Sequence, residues 1–224
     1  MYWALIVGIM LSIFIASELP DISDLFDGRG QEILFVVVLI TLSLLIQLTN
    51  FIVMLPKYLK SNQTTLRMLF FCIIVLAISL EGAEIIVFLQ SSIASGDRFY
   101  SHLLGSTLGL GIGVSVGAVS YYLLSQSSKS SLVVCFILLM VVTAGMGSQA
   151  VSYLMQADFI ESSYPIWDSR WLIDERSIIG QLLYALIGYE ATPTLIQVLV
   201  YSGYIILPVT LLLYIKMIHY RKVG

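Results

Sequence analysis

The chain has 224 residues, of which 58% are hydrophobic and 11% charged, with a formal net charge of -3 and a mean hydropathy of +0.95. A soluble domain carries about 25% charged residues, so this composition excludes an ordinary soluble protein. Long runs that are apolar on every side predict an all-α polytopic membrane protein, because strands of a membrane barrel would alternate apolar and polar positions.

Six apolar runs are long enough to cross a bilayer, which takes about 17 to 25 residues per helix. We assign them to one transmembrane domain covering residues 1–224, with spans at 2–17, 31–55, 67–90, 103–124, 132–155 and 194–216. The first run lacks a basic start and a small residue before a cleavage point, so it predicts a retained helix and not a signal peptide. Behind it, Pro20, Gly28 and Gly30 predict a break before the second span.

The third span contains two carboxylates, Glu81 and Glu84, in an otherwise apolar run. Residues three apart lie on one face of a helix. Each acid costs about 2.5 to 3.5 kcal/mol at the centre of a membrane helix, so such residues usually face protein, water or an ion. The pair is a candidate intramembrane metal site. The alternative is that both residues hydrogen-bond to neighbouring helices and only fix the packing.

The fourth span carries a row of glycines at every fourth position, Gly105, Gly109, Gly113 and Gly117. Small residues at this spacing allow a neighbouring backbone to approach closely, so the row predicts a packing helix. A second small-residue set in the fifth span predicts the same and consists of Ala144, Gly145, Gly147, Ser148 and Ala150.

Between the last two spans lies the longest connection, 157–193. Its stretch 177–188 has apolar residues on one helical face and is too short to span, which predicts an amphipathic helix lying in the membrane interface. Gly188 suits its C-terminal cap, and Thr192 followed by Pro193 suits the start of the last helix, where Pro208 predicts a kink.

Charge placement predicts that both termini are cytoplasmic, because the positive-inside rule then gives seven cationic residues inside against four outside. The inner set is Lys57, Lys60, Arg67, Lys129, Lys216, Arg221 and Lys222, and the outer set is Arg29, Arg98, Arg170 and Arg176. Twelve of the fourteen acids fall on the outer side, where they raise the local cation concentration. Among them, Asp158, Glu161 and Asp168 are weaker candidate metal ligands in the outer loop, and plain solvation is the alternative.

Two stretches resemble the oxidase-dependent iron permease family, which includes the fungal high-affinity iron permease and the bacterial Efe-type iron permease. Leu80-Glu-Gly-Ala-Glu84 is similar to the second Arg-Glu-Gly-Leu-Glu helix of that family. The second stretch is similar to the connection before the family's last helix and consists of Trp167-Asp168, Ser177, Gly180, Leu182-Leu183, Leu186, Gly188-Tyr189 and Pro193.

The resemblance implies iron as the transported ion, with Glu81 and Glu84 as ligands, in an integral protein of the cell (inner) membrane. Two departures from the family pattern stand out. The chain is expected to begin at the family's second helix, without the first motif, and Leu80 stands where the motif has arginine. A second half of the site would then come from another copy or another membrane subunit, and an extracytoplasmic oxidase or iron-binding protein is a further possible partner.

The leading hypothesis is therefore an iron-permease-like transporter or transporter subunit, moving iron or a similar hard cation as an oligomer or beside a partner. The competing hypothesis is a non-transporting structural or accessory subunit derived from the same fold. An enzyme is not expected, because no catalytic motif is present and the only histidines, His102 and His219, lie at opposite faces by this topology, where they cannot bracket a haem. The few basic residues give no nucleic-acid surface.

Overall fold

A computed structural model describes residues 2–54, 63–94, 99–126, 131–161 and 163–223. Within these residues the chain forms seven α-helices and no strand beyond an isolated bridge between Pro165 and Thr194. The helices are α1 Tyr2–Ser23, α2 Gly30–Met54, α3 Gln63–Ala94, α4 Phe99–Gln126, α5 Ser131–Gln156, α6 Ile178–Ile187 and α7 Leu195–Val223.

All helices except α6 are long and apolar enough to cross a membrane, which confirms the six predicted spans. The helices extend past the apolar runs, most clearly at α3, which continues from 67–90 to Gln63–Ala94. Apolarity marks only the part of a helix that lies in hydrocarbon, whereas backbone hydrogen bonding continues through the flanking Gln, Thr and Ser residues.

The break between α1 and α2 differs from the predicted one. Pro20 lies inside α1 and Gly30 begins α2, so of the three predicted breakers only Gly28 lies in the turn. A proline removes a single backbone donor, and α1 continues for three more residues beyond it. The turn instead contains three residues with positive φ angles, Phe26, Asp27 and Gly28.

The chain divides into two compact units, the first of which comprises residues 1–22 and 71–137. In this unit α1 buries a row of small residues, Ala4, Gly8, Ser12 and Ala16. A Cβ atom added to Gly8 would lie 2.9 Å from Ile78 Cβ, and one added to Gly82 would lie 2.7 Å from Ser12 Cβ. Such contacts show that α1 and α3 approach with almost no side chain between their backbones.

The glycine row of α4 makes no such contact. A Cβ atom placed on Gly105, Gly109, Gly113 or Gly117 would have no neighbour within 4 Å among the residues that the structure describes. The prediction of a packing helix is therefore wrong within the described part of a single chain. A glycine row allows another backbone to approach closely but does not supply that neighbour. This face of α4 is exposed.

The second unit comprises residues 23–70 and 138–224. Hydrogen bonds between polar side chains link its helices. Ser43 on α2 hydrogen-bonds to the hydroxyl of Tyr204 on α7 at 2.9 Å. Gln47 donates to the Tyr204 carbonyl at 3.0 Å and to Thr143 on α5 at 3.2 Å. A Cβ atom on Gly147 would lie 2.7 Å from the Tyr204 ring, so the predicted packing role of the small residues in α5 is confirmed. This network fixes α2, α5 and α7 beside the connection that holds α6.

Candidate functional site

Glu81 and Glu84 both lie on α3, as predicted, in a stretch that packs against α1 through Gly82. Leu80 and Ala83 are buried at 6% and 0% exposure. Residues two apart on a helix point to nearly opposite sides, so Glu84 faces away from the side on which Gly82 meets Ser12.

The two carboxylates differ in exposure. Glu84 is half-buried, whereas Glu81 is exposed and makes no hydrogen bond or ion pair with the described part of the chain. The exposure of these two side chains neither confirms nor excludes metal binding. The assignment of Glu81 and Glu84 as ligands therefore stays a prediction. Among the described residues no three His, Cys, Asp or Glu side chains come together as a metal site.

The three weaker candidates lie on the connection between α5 and α7. Asp158 is 3.9 Å from the Arg29 guanidinium, and Glu161 is exposed. Asp168 accepts from the Arg170 side chain, with a closest distance of 2.5 Å. This hydrogen bond lowers the pKa of Asp168 to about 2. A cation bound at Asp168 would have to displace the arginine.

The connection itself folds back into the second unit through α6. Ser177 caps the start of α6 by accepting from the Gly180 amide at 3.0 Å, and Gly188 caps its end with φ +66°, as predicted. A Cβ atom on Gly145 would lie 2.9 Å from the Gly188 Cα. Gly145 is eleven residues before the end of α5, about 16 Å along the axis. The last turn of α6 therefore lies beside the middle of α5 and not beside its C-terminal end.

The last helix begins at Leu195 and not at the predicted Thr192–Pro193. Thr194 and Gln197 form a capping box, in which each side chain satisfies the backbone amide of the other. The Gln197 carbonyl oxygen accepts from the Thr194 amide at 2.7 Å, and the Gln197 amide lies 3.5 Å from the Thr194 hydroxyl. Pro193 precedes the helix, and its carbonyl accepts from the Ile166 amide at 2.9 Å.

Glu190 lies between α6 and α7 and was noted in the sequence only as one of the outer acids. Its Oε2 atom accepts from the Gln197 side chain at 2.6 Å and from the Ser148 hydroxyl at 3.5 Å. Burial raises the pKa of Glu190, the charge of Glu175 adds to this rise, and the two hydrogen bonds oppose it. The carboxyl lines a cavity of about 320 Å³.

One sequence signal could have located this site. Thr194-Leu-Ile-Gln197 matches the capping-box pattern and places a helix start four residues after Glu190. The contact of Glu190 with Ser148 and Gln197 depends on the fold, since Ser148 is 42 residues away. The sequence contains no comparable signal for it.

The six long apolar helices define a polytopic helical membrane protein. The family model of the iron permease FTR1 family matches residues 46–223, and the chain belongs to this family. The resemblance seen in the sequence is thereby confirmed. Members of this family are permeases and not enzymes. No curated protein and no solved structure matches the chain.

Some residues used in the sequence-based predictions are outside the described part of the chain. They include Lys57, Lys60, Arg98 and Lys129, and the side chains of His102, His219, Lys216, Arg221 and Lys222. The predicted orientation of the termini accordingly stays a prediction.

Proposed function

We propose that the protein moves iron, or a similar hard cation, across the membrane as a permease or as the transporting subunit of a larger assembly. The observation that carries this proposal is the match to the iron permease family over residues 46–223, which includes the helix with Glu81 and Glu84. Carboxylate oxygens are hard ligands that suit ferric iron better than copper(I) or zinc. We infer that the termini are cytoplasmic and that the cell membrane is the location.

The exposure of Glu81 supports an assembly. A carboxylate on a membrane helix is costly in lipid, by about 2.5 to 3.5 kcal/mol near the centre. Intramembrane acids therefore usually meet protein, water or an ion. Glu81 is exposed, and no described residue pairs with it. A second copy of the chain or another membrane subunit would cover Glu81 and add the oxygens that one pair of carboxylates lacks. An extracytoplasmic oxidase or iron-binding protein would deliver the ion.

Iron uptake into proteoliposomes tests this proposal. We expect Glu81→Gln and Glu84→Gln each to reduce uptake at least about tenfold, because the amide keeps the side-chain shape but removes the charge that binds the cation. Glu18→Gln is the matched control, since Glu18 is an exposed acid near the end of α1. Unchanged uptake in both α3 variants would overturn the role of the pair.

The second candidate function is a non-transporting subunit of a larger membrane complex. The specific observation in its favour is that no three potential metal ligands converge within the described residues. The mass and composition of the detergent-solubilised native assembly separate the two. An assembly of several copies that takes up iron supports the permease, whereas a stable complex without uptake supports the accessory role.

A further inference from the structure

The cavity beside Glu190 lies inside the second unit and is open on one side. It is lined by Ser148 of α5, by the segment that follows α6, by the first two turns of α7 and by Trp167 of the connection. Its volume of about 320 Å³ lies at the lower end of the range for small-molecule sites, about 300 to 1,000 Å³. At about 30 Å³ for each water-sized group, it accommodates roughly ten non-hydrogen atoms.

Most of the lining is apolar, and three aromatic side chains contribute to it. The hydroxyl groups of the two tyrosines are bonded elsewhere. The Tyr189 hydroxyl hydrogen-bonds with Ser169 at 2.9 Å, and the Tyr201 hydroxyl donates to the Ile187 carbonyl at 3.0 Å. Both tyrosines therefore offer a ligand their rings, as does the third aromatic residue, Trp167.

The side-chain amide of Gln197 has no hydrogen-bonding capacity left for a ligand. Its carbonyl oxygen accepts from the Thr194 amide and from the Thr194 hydroxyl, both at 2.7 Å. Its nitrogen uses its two hydrogens on Ser152 at 2.8 Å and on Glu190 Oε2 at 2.6 Å. Oε2 of Glu190 is thus occupied as an acceptor. Oε1 has no hydrogen bond to the described residues and is the atom left for a ligand.

The charge and the polarity of the lining exclude several classes of ligand. Glu190 is the only charged residue among the described residues that line the cavity. A hard metal ion takes six or more oxygen ligands, which one carboxylate in a mostly apolar wall does not supply. An anion would be repelled by the carboxylate. A purely apolar molecule would cover Oε1 without giving it a donor, which is costly.

We propose that this cavity binds a small organic monocation, a primary ammonium ion with an apolar body of up to about ten non-hydrogen atoms. Its N–H group donates to Oε1 of Glu190, and its apolar body packs against the aromatic rings. Ser148 and Gln197 position the carboxylate through their hydrogen bonds to Oε2. The site goes beyond the proposed transport function and does not depend on it, because it uses neither of the carboxylates on α3.

The aromatic rings act on both parts of such a ligand. The face of an aromatic ring attracts a cation within about 6 Å of its centroid, and tryptophan does so most strongly. Trp167 is 47% exposed, so a ligand in the cavity would also cover part of its apolar surface. A charge-assisted hydrogen bond to Glu190 and contact with the rings thus favour the same kind of molecule.

Isothermal titration calorimetry of the purified full chain in a non-ionic detergent tests the proposal with two probes of nearly equal shape. Benzylammonium carries the charge and the N–H donors, whereas benzyl alcohol is neutral. We expect the wild type to bind benzylammonium at least about tenfold more tightly, because hydrogen bonds between charged groups are the stronger ones. Glu190→Gln should abolish this preference and leave the affinity for benzyl alcohol unchanged.

Two further variants test the cavity itself. Ser202→Phe places a ring in the cavity, so it should weaken the binding of both probes. It leaves the hydrogen bonds of Glu190 intact and stays informative if Glu190→Gln does not fold. Trp167→Leu should weaken benzylammonium binding several-fold more than benzyl alcohol binding. Glu18→Gln is the matched control at an exposed position and should bind both probes as the wild type does.

Three results would overturn the proposal. Equal affinities of the wild type for the two probes would show an apolar site that ignores charge. A preference for benzylammonium that persists in Glu190→Gln, or binding that is unchanged in Ser202→Phe, would place the ligand elsewhere. Displacement of benzylammonium by Mg²⁺ at constant ionic strength would show an inorganic cation site. Loss of iron uptake in Glu81→Gln with normal benzylammonium binding concerns only the proposed function.

Discussion

The two units of the protein are stabilised by different kinds of contact. In the first unit, α1 and α3 meet through Gly8, Ser12 and Gly82, and the nearby Glu81 is left exposed. In the second unit, side-chain hydrogen bonds join the helices, and Glu190 is part of that network. The contrast shows that a glutamate of this protein can be left exposed or hydrogen-bonded by its own chain, and that the residue type does not determine which.

The largest effect is expected at the contact between Gly145 and Gly188. Gly188 has φ +66°, and a Cβ atom there would lie 2.2 Å from the Gly145 Cα. A left-handed conformation costs a non-glycine residue about 1 to 2 kcal/mol, and overpacking adds about 1 to 3 kcal/mol. Gly188→Ala should therefore lower the melting temperature strongly in a thermal melt followed by circular dichroism.

The matched control for this prediction is Gly109→Ala on α4, where the added methyl group has no described neighbour within 4 Å. We expect no loss of stability there, and a gain of up to about 1 kcal/mol from helix propensity. Equal destabilisation by the two variants would show that Gly109 on α4 and Gly188 at the end of α6 are not in different environments.

A smaller loss is expected when the amide of Gln197 is removed. Gln197→Leu deletes the donor to Glu190 Oε2 and the acceptor for the Thr194 amide. Hydrogen bonds to charged groups contribute about 1.5 to 3 kcal/mol, so the melting temperature should fall by less than in Gly188→Ala. Gln149→Leu is a control of the same chemistry on a half-buried position of α5. An equal fall in both variants would contradict a special role of Gln197.

Glu190→Gln is expected to act in the opposite direction and only above acidic pH. The folded state holds the proton more tightly than the unfolded chain, whose glutamates titrate near 4.5. The contribution of Glu190 to stability is therefore fully present below this value and is lost as the pH rises through its raised pKa. The neutral glutamine avoids this loss, so its melting temperature should exceed that of the wild type by a few degrees at neutral pH in metal-free buffer.

The difference should vanish at a pH below 4.5, where both side chains are uncharged. Glu18→Gln is the matched control, because it makes the same substitution at an exposed position. A constant difference across the pH range would assign the effect to packing and not to ionisation.

The smallest effect is expected at the pair of Arg170 and Asp168, which is exposed on both sides. Exposed ion pairs contribute little to stability, so Arg170→Ala should leave the melting temperature at neutral pH unchanged within error. The pKa of Asp168 should return from about 2 towards 3.8, which NMR titration of a labelled sample would detect. A large loss of stability would indicate that this pair holds the connection in place.

The number and position of the spans could be predicted because membrane thickness fixes the length of an apolar helix. The αL cap at Gly188 could also be predicted, because its conformation depends on a local feature, one glycine after an apolar face. The contacts of Glu190 with Ser148 and Gln197 were not predictable, because they require the end of α6 to pack against α5 at Gly145. The prediction from the glycine row of α4 was wrong for a related reason. Small residues indicate where a helix could pack, but they do not indicate whether a neighbouring helix is there.

The meeting of Gly145 and Gly188 also limits how the connection can move. With two backbones in contact and no side chain between them, a rotation of the connection that preserves this contact must pivot there. Ile178 lies about 15 Å from the pivot along α6, whereas Glu190 is two residues away, at most about 7 Å. A swing of roughly 10° would then displace the start of α6 by about 2.6 Å and Glu190 by only about 1.2 Å. The same rotation would therefore move the start of α6 about twice as far as the Glu190 carboxylate.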